Sequence, residues 1–130
     1  MTIFLNLRTA QIIVLSLLLA VCSVTTNPQG DPARGEQLFN TKLEGGNENH
    51  ACSDCHSLDG AQESAPTFMG ISQHSLEMTE GMEIQEYLRQ SIVEPGAHRA
   101  GYFPNEMPTV YGEVLNEQQV NDLIEFLLTQ

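Results

Sequence analysis

Cys52-Ser53-Asp54-Cys55-His56 constrains this chain more than any other feature in it. Two thiols separated by two residues, with an imidazole directly after the second, form the C-x-x-C-H signature of covalent haem attachment. The spacing has a chemical reason. Two intervening residues let both sulfurs reach the vinyl groups on one edge of a porphyrin, where they form thioethers, and the adjacent imidazole swings under the iron as its proximal ligand. Three other readings compete: a dithiol redox pair, half of a zinc site, and coincidence. A zinc site wants a second Cys or His pair at suitable spacing, whereas the remaining cysteine is Cys22 and the histidines His50, His74 and His98 stand singly. A thioredoxin-like dithiol wants a βαβ setting, and none is evident. The motif therefore reads as one covalent haem c bound through Cys52, Cys55 and His56.

The rest of the composition suits a small haem domain. Of 130 residues, roughly 100 remain once a leader is set aside, enough for a single domain with only a modest core. With five phenylalanines, three tyrosines and no tryptophan, the polypeptide is poor in large core side chains, and a porphyrin would supply apolar filling. Seventeen acids against five bases give a formal charge of −12. Nucleic acid is excluded as a partner on that balance. A charge-steered partner would present a basic surface, and plain solubility is the competing reason for the acids.

Residues 1–24 read as a signal peptide or membrane anchor. One base, Arg8, precedes an apolar run from Ile12 to Val24 that Ser16, Cys22 and Ser23 interrupt, which suits an export segment. Thirteen residues are short for a membrane span. Export agrees with the haem motif, because covalent haem attachment in bacteria takes place outside the cytoplasm. Leu19-Ala20-Val21-Cys22 is similar to a lipobox with Cys22 as the lipidated residue, although Val21 stands where a small residue is usual. Ordinary cleavage near Ser23 and an uncleaved anchor are the alternatives. Residues 25–30, polar and without periodicity, read as a tether to a domain at 31–130. The expected place is the periplasm, or the extracytoplasmic face of a bacterial cytoplasmic membrane reached through an anchor or a lipid.

Three segments of that domain are predicted helical. Asp31-Pro32 is an N-cap with proline at the first helical position, followed by Gly35, Leu38, Phe39 and Lys42/Leu43 on one side. A second helix is expected to open near Thr79, with Glu80 and Glu83 in its first turns and an inward stripe of Ile84, Tyr87, Leu88, Ser91 and Ile92 running to Pro95. Asn116 with Gln119 forms a capping box for the last helix, whose apolar face is Val120, Leu123, Ile124, Leu127 and Leu128. No useful stretch alternates with period two, so the domain is expected to be all-α with long loops.

One loop should supply the iron's second axial ligand. Met69, Met78, Met82 and Met107 lie downstream of the haem motif. Met78 and Met82, at the start of a predicted helix, suit packing. Met69, after Phe68, reads as core. Met107 lies in the stretch 102–110 and is followed by Pro108, which disfavours helix at Met107 itself. A thioether there would raise the reduction potential. His98 is the rival, and its imidazole would lower it.

The arrangement over residues 31–130 resembles the class I c-type cytochromes. In that family a first helix, C-x-x-C-H, a proline loop, further helices, a Met-Pro loop and a C-terminal helix follow one another. The resemblance implies the cytochrome c fold, with helices packed around one covalently attached haem. It implies that Gly35 and Phe39 meet an aromatic of the last helix, for which Phe126 is the candidate. Ala65-Pro66-Thr67-Phe68 is similar to the family's proline loop, which implies that the Pro66 carbonyl accepts the Nδ1 hydrogen of His56. Arg99 and Tyr102 are candidates for haem-propionate contacts, against a plain surface role. The stretch from Ser91 to Gly112 looks like that of membrane-associated monohaem cytochromes and of cytochrome domains fused to oxidase subunit II.

With both axial positions filled by His56 and Met107, no site is left open for oxygen or substrate, so the expected function is electron carriage rather than catalysis. The resemblance implies a quinol-oxidising complex as donor and a terminal oxidase or photosynthetic reaction centre as acceptor. A fixed subunit of a larger respiratory complex, such as alternative complex III, is one alternative. A haem enzyme or sensor with weak sixth ligation is another.

Overall fold

The computed structural model describes residues 29–44, 49–61, 64–73, 79, 81–98 and 107–130. The expected leader, Cys22, residues 25–28 of the expected tether, Met78, Arg99 and Tyr102 lie outside the described residues. Helix α1 spans Pro32–Phe39, α2 Ile84–Val93, α3 Tyr111–Val114 and α4 Glu117–Leu127, with single 3₁₀ turns at Cys52–Asp54 and Ile71–Gln73. No strand occurs among the described residues, in line with the all-α expectation, and none of these helices is long and apolar enough to cross a membrane.

Local chemistry sets the ends of α1. Asp31 Oδ1 accepts from the Ala33 N–H at 2.9 Å, which satisfies a donor the helix itself leaves bare, and Pro32 follows at the first helical position. The helix stops at Phe39, short of the expected Lys42 and Leu43. A side chain explains the early stop. Thr41 Oγ1 donates to the Gln37 carbonyl at 2.6 Å while the Thr41 N–H turns to the Leu38 carbonyl at 3.0 Å, so a polar side chain takes the acceptor that a continuing helix would use. Leu43 still packs against the core from outside the helix, and Lys42 is exposed.

The predicted capping box opens α4: Asn116 Oδ1 accepts from the Gln119 N–H at 3.0 Å, and Gln119 Oε1 accepts from the Asn116 N–H at 2.9 Å. Val120, Leu123, Ile124 and Leu127 are buried as expected, while Leu128 stands just past the helix and is half-buried. The two terminal helices pack on each other at Gly35. A Cβ there would lie 2.0 Å from the Asp122 carbonyl oxygen and 2.6 Å from Phe126 Cβ, so only glycine allows this approach. One turn on, the rings of Phe39 and Phe126 meet at 5.4 Å and 52°, the contact implied by the family resemblance.

Helix α2 begins later than expected. Thr79 is buried, but its hydroxyl donates to the Met82 carbonyl at 2.5 Å and its carbonyl accepts from the Met82 N–H at 3.0 Å, forming a turn. Gly81 inside that turn has φ +85°, a left-handed conformation no α-helix can contain. The helix therefore starts at Ile84, and Glu83 becomes its N-cap residue. Tyr87, Leu88 and Ile92 carry the buried stripe, and the helix closes at Val93 ahead of Pro95. Met69 also departs from expectation. It is 57% exposed, because Phe68 takes the inward position and packs edge-on against Phe39 at 6.1 Å.

Candidate functional site

The motif is wound into a tight turn. Asp54 N–H donates to the Ala51 carbonyl at 3.1 Å, while Cys55 N–H and His56 N–H both donate to the Cys52 carbonyl, at 3.2 and 2.9 Å. Asp54 Oδ2 accepts in return from the Ala51 N–H at 3.0 Å. That bond, with smaller contributions from Lys42 and His50, holds the Asp54 carboxyl below the usual carboxylate range. The turn brings Cys52 and His56 to one apolar cavity, and Cys55 on the same turn is half-buried. Burial pushes the Cys52 thiol up to about 11, so at neutral pH it is a protonated thiol packed against the core.

His56 is held on two sides. Its Nδ1 lies 2.7 Å from the Pro66 carbonyl oxygen. A carbonyl can only accept, so Nδ1 carries the hydrogen, and Nε2 is left as the bare electron pair of the ring. Phe68 stacks on the imidazole, 4.5 Å between centroids at 26°. Burial holds the imidazolium below its ordinary pKa, against the Pro66 bond, which works the other way. A neutral imidazole with one oriented nitrogen free is what a metal needs from histidine.

Met107 lines the same cavity as Cys52 and His56, together with Phe39, Phe68 and Tyr111. It lies just before a turn at Thr109–Val110 that leads into α3, outside any helix as Pro108 requires. His98, its rival, is engaged elsewhere: its Nε2 donates to Gln90 Oε1 at 2.8 Å and its ring packs on Tyr87 at 5.2 Å. Of the candidate residues, Cys52, His56 and Met107 line one cavity, Pro66 is bonded to His56 and Cys55 sits on the same turn as Cys52, neither of them in the lining, and Arg99, Tyr102 and Cys22 lie outside the described residues.

The donor set gathered there, a thiol, an imidazole whose Nδ1 is already committed and a thioether among apolar side chains, suits an iron porphyrin, since nitrogen and sulfur are ligands for the iron. Among the described residues no group of three or more His, Cys, Asp or Glu side chains is placed to hold a bare metal ion. Tyr111 escaped the residue-by-residue reading. It is buried on the cavity wall with its hydroxyl toward the His50 carbonyl at 3.5 Å. An aromatic three residues after the Met107-Pro108 pair was the available signal. Asp122 also escaped, though an acid interrupting the apolar face of the last helix signals a buried ion pair.

Comparison with known proteins bears on the whole domain. The family model described as Cytochrome c matches residues 32–130, well over half of the chain. No curated protein and no solved structure matches significantly.

Proposed function

The chain belongs to the cytochrome c family, which carries electrons on covalent haem c, and on that premise we propose that it is a class I monohaem carrier with His56 and Met107 as axial ligands. The observation that carries the reading is the His56 ring, its Nδ1 committed to the Pro66 carbonyl at 2.7 Å, in one apolar cavity with Met107. Cys52 and Cys55 would hold the porphyrin edge as thioethers. When bound, haem supplies a one-electron iron couple and a delocalised edge from which that electron leaves.

The chain's residues do the rest. Pro66 and Phe68 fix the proximal imidazole in one orientation and one tautomer. Phe39, Ile92, Leu123 and Leu127 exclude water from the cavity, which keeps the local dielectric low. Met107 favours the ferrous form and raises the potential. With His56 and Met107 both holding the iron, substrate would have nowhere to bind, and outer-sphere electron transfer would be the chemistry left.

The working context proposed is a membrane-associated respiratory or photosynthetic chain, at the periplasmic or extracytoplasmic face. The apolar leader and the polar segment after Cys22 support it. A quinol-oxidising complex would be the donor, and a terminal oxidase or reaction centre the acceptor. Both described arginines are already paired with acids, Arg34 with Asp31 and Asp122, and Arg89 with Glu117. Among the described residues, acids such as Glu36, Glu86, Glu94 and Glu113 are exposed, which suits a basic docking surface on the partner.

Absorption spectra of the oxidised and reduced full chain, followed by exposure of the reduced protein to carbon monoxide at neutral pH, test the reading. A c-type haem spectrum that carbon monoxide leaves unchanged is expected. A colourless protein, or rapid carbon monoxide binding, refutes it.

A further inference from the structure

The loop behind His56 holds a residue whose role deepens the reading just proposed, and the inference rests on that reading. The Pro66 carbonyl lies in one peptide plane with the Thr67 N–H, so its direction follows from how Thr67 is held. Thr67, next in the chain, gathers the loop onto one hydroxyl. Its Oγ1 donates to the Ser57 carbonyl at 3.2 Å and accepts from the N–H groups of Gly60 and Met69, each at 3.2 Å. Phe68 N–H donates to the same Ser57 carbonyl at 2.9 Å.

Ser57 directly follows His56, so the chain leaving the ligand is tied to the residues on the far side of Pro66. Gly60, where the loop reverses, has φ +91° and lies under the Met69 side chain, with Met69 Cε 2.7 Å from where a Cβ would stand. The Ser57 hydroxyl is turned to the Ala61 carbonyl instead. Among the described residues, Thr67 is therefore the side chain that joins three points of the loop around the Pro66 carbonyl.

We propose that Thr67 is a positioning residue whose hydroxyl fixes the Pro66 carbonyl against the Nδ1–H of His56 and thereby sets how strongly the imidazole donates to iron. A firm bond at Nδ1 gives the ring imidazolate character, which favours ferric iron and lowers the potential. Loosening the carbonyl works the other way. A merely structural threonine would change stability and leave these quantities alone.

The test uses the haem-loaded full chain with Thr67→Val, which removes the hydroxyl, and Thr67→Ser, which keeps it. Two quantities are read: the reduction potential, and the rate of hydrogen exchange at His56 Nδ1 by NMR in the reduced state. Thr67→Val should shift the potential upward and speed the exchange, and Thr67→Ser should restore both to native values. Native values in the valine variant, or equal deviation in both variants, overturn the proposal. Should the valine variant not accumulate, Thr67→Ala, which sets no methyl group against the Ser57 carbonyl, carries the same expected upward shift and the same refutation. These outcomes are separate from the functional reading, which fails only if the native chain itself carries no covalent haem or binds carbon monoxide.

Discussion

Arg34 of α1 and Asp122 of α4 form a two-point pair, Nε to Oδ2 at 2.8 Å and Nη2 to Oδ1 at 3.0 Å. Asp122 is 2% exposed, and its Oδ1 accepts two further hydrogen bonds, from the Asp31 N–H at 2.7 Å and from Gln118 Nε2 at 2.9 Å. A carboxylate can be buried when its lone pairs are met in this way. The pair fastens the start of the domain to its last helix, beside the Gly35 contact.

Acid should weaken the fold through this carboxylate. The Arg34 hydrogen bond holds the Asp122 carboxyl below its ordinary value, helped by Gln118 and the Asp31 N–H and opposed by burial. A group whose folded pKa is depressed contributes fully above its unfolded pKa, about 4, and loses that contribution as pH falls through the folded value. The native chain should therefore be more stable than Asp122→Asn near neutrality, with the gap closing below about pH 4. Thermal midpoints of both proteins across that range measure it, and a gap independent of pH would contradict the assignment.

Gly35→Ala should destabilise even though alanine is the better helix former by about 1 kcal/mol. Its Cβ would sit 2.0 Å from the Asp122 carbonyl, and forcing α1 and α4 apart costs roughly 1–3 kcal/mol or more. Denaturant unfolding reads the net loss. Phe126→Ala, which removes the ring against Phe39, should cost about 3–5 kcal/mol.

Replacing Cys52 and Cys55 by serine together should abolish covalent attachment, so that acid-acetone extraction removes all colour from the protein. Haem retained through that extraction would show that the attachment lies elsewhere.

Met107→His should lower the reduction potential markedly and remove the near-infrared sulfur-to-iron band of oxidised His/Met haem. A surviving band would identify a different methionine as ligand. Exposed Met69 would be a poor candidate.

Tyr111→Phe should be nearly neutral, because the hydroxyl sits 3.5 Å from the His50 carbonyl and a hydrogen bond that long contributes under about 1 kcal/mol. Tyr111→Ala should cost several times more, since the ring is buried on the cavity wall. Chemical denaturation of the two variants separates the hydroxyl from the ring. Burial pushes the phenol up to about 12, so no step near neutral pH should arise from it.

The sequence by itself determined what depends on neighbours a few residues apart. Asp31-Pro32 and Asn116 with Gln119 state helix starts, because capping is chemistry within one turn. C-x-x-C-H names the cofactor because, at that spacing, two thiols can reach one edge of a porphyrin while the imidazole reaches its iron. The buried stripes of α2 and α4 were likewise legible from their period.

Tertiary structure decided the rest, because those choices depend on groups far apart in the chain. Met69 rather than Phe68 faces outward, since only one of two adjacent side chains can pack on Phe39. Helix α2 starts at Ile84 because Thr79 is buried in a turn around Gly81, which periodicity cannot foresee. Asp122 meets Arg34 across 88 residues. The cavity itself exists only once α1, α2, α4 and the Met107 segment converge, because enclosing an apolar space takes walls from every part of the chain.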